Sequence, residues 1–548
     1  MGDERRVRVP PYGATAASFI HHVARAWEDR ELAVIGDRRL TYREAEREST
    51  RLASALLSIG VGRGTRVGLL APNGPEWITA FLAITRIGGL AILLNTYHKP
   101  RELSWVLDHA AVEVLLTVDA HLGHDYAERL QTIAPGLLEQ PGRELRLDSH
   151  PKMRAVWMWG ERHPVWAGPI DELLEAGTTV PDGELVAAEA VVTSDDPMVV
   201  IYSSGSTSEP KGVIHSHGAV IRHPYNLLQF RDLLPGDVLY TPMPLFWVGG
   251  LTWTLLSGMH AGAKIVFERQ FEAGNTLETL ERERVTHVIG WPHMAKALVE
   301  HPTFEERDLS SIRGGSLDEL LPEELRVGDP ELRASSLGMT ESLGPHSLER
   351  IGSALPPDKR GSFGRAVPGV ERRIVDPVTG EDLAVGEMGE ICIRGYSLML
   401  GILERTEAEV FEPGGWYRTG DGGYLDDDGH LYFKGRLGDV IKSSGTNVTP
   451  REIEIVIEEQ PGVMHAFVVG VPHHERGEDI AAAVVARPGR SIDAVELRTR
   501  IKAELASYKV PRHMVVFDHP DDLPWLDNGK IDLRAVRGLL VDRFATEG

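Results

Sequence analysis

Between Leu40 and Thr117 the apolar residues switch between two rhythms. Over residues 43–57 they recur at helical spacing, and Thr41 with Glu44 three positions on predicts a capped helix start. Gly60 to Gly64 reads as a turn. Residues 66–71 and 88–94 are short unbroken apolar runs, read as buried strands, and residues 76–87 between them follow helical spacing. Strands alternating with helices imply a parallel sheet covered on its faces. The same order returns over residues 237–299. Residues 139–195, richer in Pro, Gly and charge, are expected to form a surface excursion. From Gly361 to Lys434 short strands punctuated by Gly and Asp predict antiparallel structure. Beyond Arg436 lies a unit of roughly 110 residues with its own helices and strands, enough for a small domain.

Composition narrows the class. At 548 residues the chain exceeds one ordinary core. A net charge of −23 argues against non-specific nucleic-acid binding and an anionic membrane surface, so any polyanionic ligand needs a local positive site. The single cysteine, Cys392, excludes an internal disulfide and a Cys zinc cluster, and its strand-like setting makes it a core residue. No apolar run reaches membrane-span length and the N-terminus lacks a secretory apolar segment, so a cytoplasmic location is expected.

One segment carries chemistry. The apolar run of residues 197–202 opens into Ser203, Ser204, Gly205, Ser206, Thr207 and Ser208, followed by Pro210 and Lys211. Hydroxyls, backbone N–H groups and one ammonium suit phosphate oxygens and predict an ATP-using enzyme. It is not a Walker A loop, because Gly212 follows Lys211. Four further clusters follow in order: residues 337–342 with Thr340 and Glu341, residues 417–421 ending in Asp421, residues 435–454 with Arg436, Lys442 and Gly445, and residues 528–532 with Lys530. A Glu in a Gly-rich turn is a Mg²⁺ ligand candidate.

Together and in this order these motifs resemble the adenylate-forming superfamily of acyl-CoA synthetases, amino-acid adenylation domains and luciferases, over nearly the whole chain. The resemblance implies an α/β fold. A large N-terminal AMP-binding domain, residues 1–436, would hold parallel α/β subdomains and a small β-barrel-like part. A small mobile α+β C-terminal domain, residues 437–548, would follow a hinge near Gly438. It implies two half-reactions: a carboxylate attacks the α-phosphate of Mg·ATP to give acyl-AMP and pyrophosphate, then a thiol, that of coenzyme A, displaces AMP. By the same resemblance the loop from Ser203 to Lys211 holds the β- and γ-phosphates. Glu341 and Ser203 place Mg²⁺, and Thr340 lies near the α-phosphate. Gly314, Gly315, Ser316, Leu337, Gly338, Met339 and Phe433 surround the nucleotide, while Asp421 and Arg436 hold the ribose. Lys530 bridges carboxylate and phosphate in the first step; Lys442 and the loop at Gly445 serve the second. A cation on both reactants supplies orientation and charge stabilisation where two anions must meet.

Three positions depart from the pattern: Ser208 replaces a glycine, Leu337 an aromatic residue, and Gly438 the usual Asp or Lys of the pivot. Trp247 directly follows Phe246, where amino-acid-activating relatives carry an Asp, so an amino acid is disfavoured. Trp247, Gly249, Gly250, Trp291, His293, Leu343 and His346 are the candidate walls of an apolar acyl pocket. The reading is a CoA ligase for a fatty or ring-containing acid, in fatty-acid or related metabolism, with a homodimer compatible with the sequence. Two alternatives stay open: an acyl-AMP ligase loading a free-standing carrier protein, and an ATP-binding homologue with impaired catalysis.

Overall fold

The structure is a computed structural model that describes residues 5–203, 210–329, 332–437, 441–443, 446–448, 450–525 and 531–545. Among them, an eight-stranded sheet runs in the order Gly401–Ile402, Lys211–Ser216, Pro197–Ser203, Leu90–Leu93, Arg66–Leu70, Val114–Val118, Ala155–Trp159, Gly168–Pro169. From Pro197–Ser203 to Gly168–Pro169 the neighbours are parallel. Its two faces build two cores. Ala91 and Leu93 enter one apolar cluster, Leu90 and Ile92 the other; Val199 and Ile201 oppose Val200 and Tyr202 in the same way. Burial on both faces is why these strands read as continuous apolar runs. The predicted helix is Tyr42–Ser58, with the reciprocal Thr41–Glu44 capping box in place.

A six-stranded sheet, Gly314–Gly315, His287–Val288, Val238–Tyr240, Lys264–Phe267, Glu31–Ile35 and Arg38–Thr41, repeats this design, with an antiparallel edge at Arg38–Thr41. The antiparallel region expected after Gly361 is a four-stranded sheet of Val370–Val375, Gly389–Gly395, Tyr417–Leu425 and Leu431–Arg436. Cys392 is fully buried in it, and burial lifts its thiol pKa to about 11. A further sheet holds Thr446–Val448, Ile441–Ser443, Gly477–Ala486, Val463–His473 and His513–Phe517. One of its faces packs on helices Pro450–Glu458 and Ala494–Glu504 through Ile453, Ile457, Leu497 and Ile501; the other meets Leu533–Ala545 through Val536 and Leu540.

One expectation fails. Residues 139–195 are not an excursion: Ala155–Trp159 joins the eight-stranded sheet beside Val114–Val118, and helix Ile170–Gly177 packs on Tyr42–Ser58. Pro and Gly punctuate both ends of this strand, and its short run, with two tryptophans, gave no alternation to read. No helix among the described residues is long and apolar enough to cross a membrane.

Candidate active site

Strands Pro197–Ser203 and Lys211–Ser216 pair antiparallel with Ser203 opposite Lys211, so both ends of the predicted phosphate loop are pinned to one point of the sheet. Ser204, Gly205, Ser206, Thr207 and Ser208 lie outside the described residues. Ser203 and Pro210 line a cavity of about 310 Å³. The Ser203 Oγ is enclosed and finds no hydrogen-bond partner among the described residues. Such an orphaned hydroxyl costs about 1–3 kcal/mol, which a ligand oxygen or hard cation relieves.

Across the cavity stands the turn after Ser336–Met339, where Thr340 and Glu341 line the wall. The buried Glu341 carboxylate pairs with the Lys211 ammonium and accepts the Tyr417 hydroxyl at 3.2 Å. Lys211 Nζ in turn donates to the Tyr417 oxygen at 3.3 Å. The turn itself is held on three sides. His215 Nε2 donates to the Thr340 carbonyl at 2.8 Å, the Met399 N–H to the Glu341 carbonyl at 2.8 Å, and Ser342 Oγ to the Gly344 carbonyl at 2.7 Å. Burial drops the His215 pKa to about 4, so its ring is neutral. Gly338 is needed here, since a Cβ would stand 2.4 Å from the Gly344 backbone.

The acyl wall begins at Pro244, from which the chain enters the wide-turned helix Gly249–Leu256. Trp247, Gly249, Gly250 and Trp291 line the cavity with Met243 and Phe246. A Cβ on Gly250 would lie 2.1 Å from the Pro244 carbonyl oxygen, so the close approach of helix and loop demands glycine. Leu343 is no wall residue: it is fully buried in the core at φ 59°, and His346 is buried as well. The side chain of His293 lies outside the described residues.

The nucleotide candidates divide. Gly314, Gly315 and Ser316 line a second cavity of about 370 Å³ with Arg333 and Ser336, and Ser316 Oγ donates to the Gly290 carbonyl at 2.8 Å. Gly338 and Met339 face the first cavity. Leu337 packs instead with Val213, Met339 and Ile391. Asp421 is buried on Tyr417–Leu425; its N–H donates to Thr419 Oγ1 at 3.0 Å. Arg436 is its ladder partner. Phe433 carries the Lys442 ammonium 4.1 Å above its ring. Asp421, Phe433 and Lys442 line neither cavity, and the side chain of Arg436 lies outside the described residues.

The C-terminal region closes the first cavity with Thr446, Tyr508 and Lys509. Gly438, Gly445 and Lys530 lie outside the described residues. Trp525 and Ile531, on either side of residues 526–530, bridge each other, and Trp525 stands edge-on to Phe467 at 5.7 Å. Sequence reasoning missed Tyr417 as a partner of Glu341, and Asn95, His98, Tyr508 and Lys509 as parts of this site. Tyr417 stood in a motif already singled out; the others carry no local signal.

A loop-pinned hydroxyl, a Lys–Glu–Tyr cluster and an aromatic cavity on paired parallel sheets define an AMP-forming acid–thiol ligase. The chain belongs to the family of AMP-binding enzymes, whose description matches residues 20–403, with the AMP-binding enzyme C-terminal domain matching residues 452–530. It is 33% identical to a feruloyl-CoA synthase of Amycolatopsis over 90% of this chain and 93% of the relative. An indoleacetate–CoA ligase of Aromatoleum aromaticum is 30% identical (93% and 95% covered), and the mitochondrial medium-chain acyl-CoA ligase of Rattus norvegicus 29% (94% and 86%). Among solved structures, an o-succinylbenzoate CoA synthetase double mutant from Bacillus subtilis, bound with a CoA product analogue, superposes with TM-score 0.74 at 25% identity over 96% of this chain and 98% of the other. The amide bond synthetase McbA of Marinactinospora thermotolerans does so at 0.77 and 26%, with 95% and 99% covered.

Proposed function

We propose that the acid is apolar and ring-containing or of medium chain length, and that it is activated where Glu341, paired with Lys211 and Tyr417, meets the aromatic cavity. The observation that carries this reading is the cavity itself. Ser203, whose enclosed hydroxyl finds no partner among the described residues, and Glu341 line it together with Met243, Phe246, Trp247 and Trp291. No Asp follows Phe246 to hold a substrate ammonium. Ferulate, indoleacetate and medium-chain acids, named for three of the relatives, are ring-containing or of medium chain length.

In this reading the acid carboxylate attacks the α-phosphorus of ATP, a P–O bond forms, and pyrophosphate leaves with the bond electrons. Lys211 and the loop from Ser203 hold the β- and γ-phosphates, and Thr340 meets the α-phosphate. Glu341 and Ser203 offer hard oxygens that fit Mg²⁺, which when bound neutralises phosphate charge. Asp421 with Arg436 takes the ribose, and Gly314, Gly315 and Ser316 border the base. Lys530 serves this step, brought in by rotation of residues 437–548 about Gly438. Thr446 at the cavity supports the reading that the described arrangement belongs to thiol transfer, with Gly445 beside the entering thiol and Lys442 assisting. The likeness to a synthetase holding a CoA product analogue supports it too.

The test is incubation with ATP, Mg²⁺, CoA and a panel of cinnamic, indolic, medium-chain and amino acids, reading AMP and thioester by mass spectrometry. AMP and CoA thioester from a ring-bearing or medium-chain acid are expected. AMP with thioester only on a holo-carrier protein favours the carrier-loading alternative. No AMP from any acid rejects the assignment. Lys530→Ala is expected to abolish acid-dependent pyrophosphate release while ready-made acyl-AMP still yields thioester.

A further inference from the structure

Residues 508 and 509 enter the N-terminal region as a pair. Lys509 is buried, its ammonium 2.8 Å from Glu102 Oε1 and 2.5 Å from Glu452 Oε1. The three side chains are only 4%, 7% and 8% exposed. Glu102 comes from helix Pro100–His109 of the N-terminal region, Glu452 from helix Pro450–Glu458 beyond Gly438. Glu102 is fixed by its own capping bond from the Lys99 N–H at 3.0 Å. Next to it, Asn95 Nδ2 donates to the Tyr508 hydroxyl at 3.4 Å, and the Tyr508 ring stands edge-on to Trp247 at 6.1 Å. Both residues line the acyl cavity. Burial opposes charge on Lys509, but Tyr508 and the carboxylates of Glu452 and Glu102 outweigh it and keep the ammonium protonated. Outside this cluster the two regions meet through exposed pairs such as Lys296–Glu475 and Arg101–Glu459, which contribute little.

We propose that Tyr508 and Lys509 are positioning residues for thiol transfer: seated between Glu102 and Glu452, they form a plug that closes the acyl cavity to water while the thiol attacks the acyl-AMP. This rests on the ligase reading above. In the step, the thiol sulfur forms a C–S bond to the acyl carbon, AMP leaves with the electrons of the broken C–O bond, and the thiol proton goes to solvent. Water at the same carbon gives free acid and AMP and wastes the ATP. A single lysine between two buried carboxylates sets the register of the plug, because either carboxylate without it is an uncompensated buried charge. When the C-terminal region rotates away, Glu102 is returned to solvent, so the latch reopens in each cycle.

The experiment supplies preformed acyl-AMP, of an acid that the wild type turns over, with saturating CoA, and reads thioester and free acid together. Acid-dependent pyrophosphate release is measured in parallel, and melting curves report folding. Lys509→Met is expected to lower the thioester rate about 100-fold and to raise the share of acyl-AMP lost to water. Pyrophosphate release should fall by a much smaller factor. Glu102→Gln, which keeps a hydrogen bond to Lys509, is expected to give about a tenfold loss. The triple variant Lys509→Met/Glu102→Gln/Glu452→Gln removes the stranded charges and should recover most of the thioester rate, a non-additive rescue that loss of packing alone would not produce. The proposal is overturned if both half-reactions fall by the same factor, if hydrolysis does not rise, or if the triple variant is no better than Lys509→Met. A wild type that makes no AMP from any acid would instead overturn the ligase reading.

Discussion

Lys211 and Lys509 both pair with carboxylates beside one cavity, which Glu341 and Lys509 line, yet their surroundings differ in two ways. Lys211, Glu341 and Tyr417 all lie on the N-terminal side of Gly438, and the lysine is 19% exposed. Lys509 is 4% exposed and draws its two carboxylates from either side of Gly438. A part-exposed ammonium can trade its carboxylate for a ligand phosphate without any element moving. A sealed ammonium held from two sides can be released only by moving one of them. The first arrangement suits ligand exchange, and the second suits a change of conformation. Under the proposals above, the same chemistry, lysine on carboxylate, serves different half-reactions according to solvent access and to which side of Gly438 supplies the carboxylates.

The largest effect that separates them is expected at Glu341. Glu341→Ala removes the carboxylate proposed for Mg²⁺ and leaves Lys211 without its ion-pair partner; acid-dependent pyrophosphate release should fall about 1000-fold. Lys211→Met should cost about 100-fold in the same assay. With preformed acyl-AMP, both variants should keep thioester formation within a few-fold of wild type, the reverse of the pattern expected for Lys509→Met. If Lys211→Met slows thioester formation from acyl-AMP as much as it slows pyrophosphate release, the division between the two lysines collapses.

Ionic strength sharpens the contrast with a smaller effect. Charges that face water are screened within about 8 Å at physiological salt, and buried ones much less. Raising salt from low to high is expected to increase the KM for ATP several-fold through the Lys211 end. The partition of acyl-AMP between thioester and free acid should stay flat. A partition that shifts with salt would show that the Lys509 cluster is open to solvent.

Much of the first cluster was legible in the sequence, and almost none of the second. Ser203, Lys211 and Glu341 sit in short motifs whose residue types already match phosphate and metal chemistry; the fold brings Ser203 and Glu341 to one cavity and pairs Lys211 with Glu341. The capping pair at Thr41 and Glu44 and the apolar runs at residues 66–71 and 88–94 were equally readable, because their determinants are local. Lys509 and Glu102 are 407 residues apart, and a lone Lys or Glu on an amphipathic segment reads as a solvated surface group. Leu343 shows the converse failure. It sits beside Glu341 in the chain, but the turn forces it to φ 59° and aims it into the core, so proximity to a motif did not make it a pocket wall.

The smallest expected effect is in acid stability, and it too distinguishes the clusters. His215 lies under Thr340 and His98 lies beside Glu102, and burial lowers both pKa values from the ordinary 6.5 to about 4. His98 Nδ1 is enclosed with no partner among the described residues, which keeps its ring neutral. Because the folded value is below the unfolded one, the unfolded chain binds the proton first as pH falls. The stabilisation is therefore complete above about pH 6.5 and drains away towards pH 4, at no more than ~1.4 kcal/mol per pH unit for each histidine. Calorimetric melting between pH 7 and pH 4.5 should show this slope, and His215→Gln and His98→Gln should each flatten it. The two rings then part company. Glu102 raises the His98 pKa and Lys509 lowers it, so Lys509→Met should lift the His98 value and weaken its share of the slope. His215 feels Glu341 rather than Lys509, so its share should persist in that variant. A Lys509→Met protein with an unchanged acid slope would mean that His98 does not sense the latch, and that the buried cluster is electrically isolated from the cavity wall it adjoins.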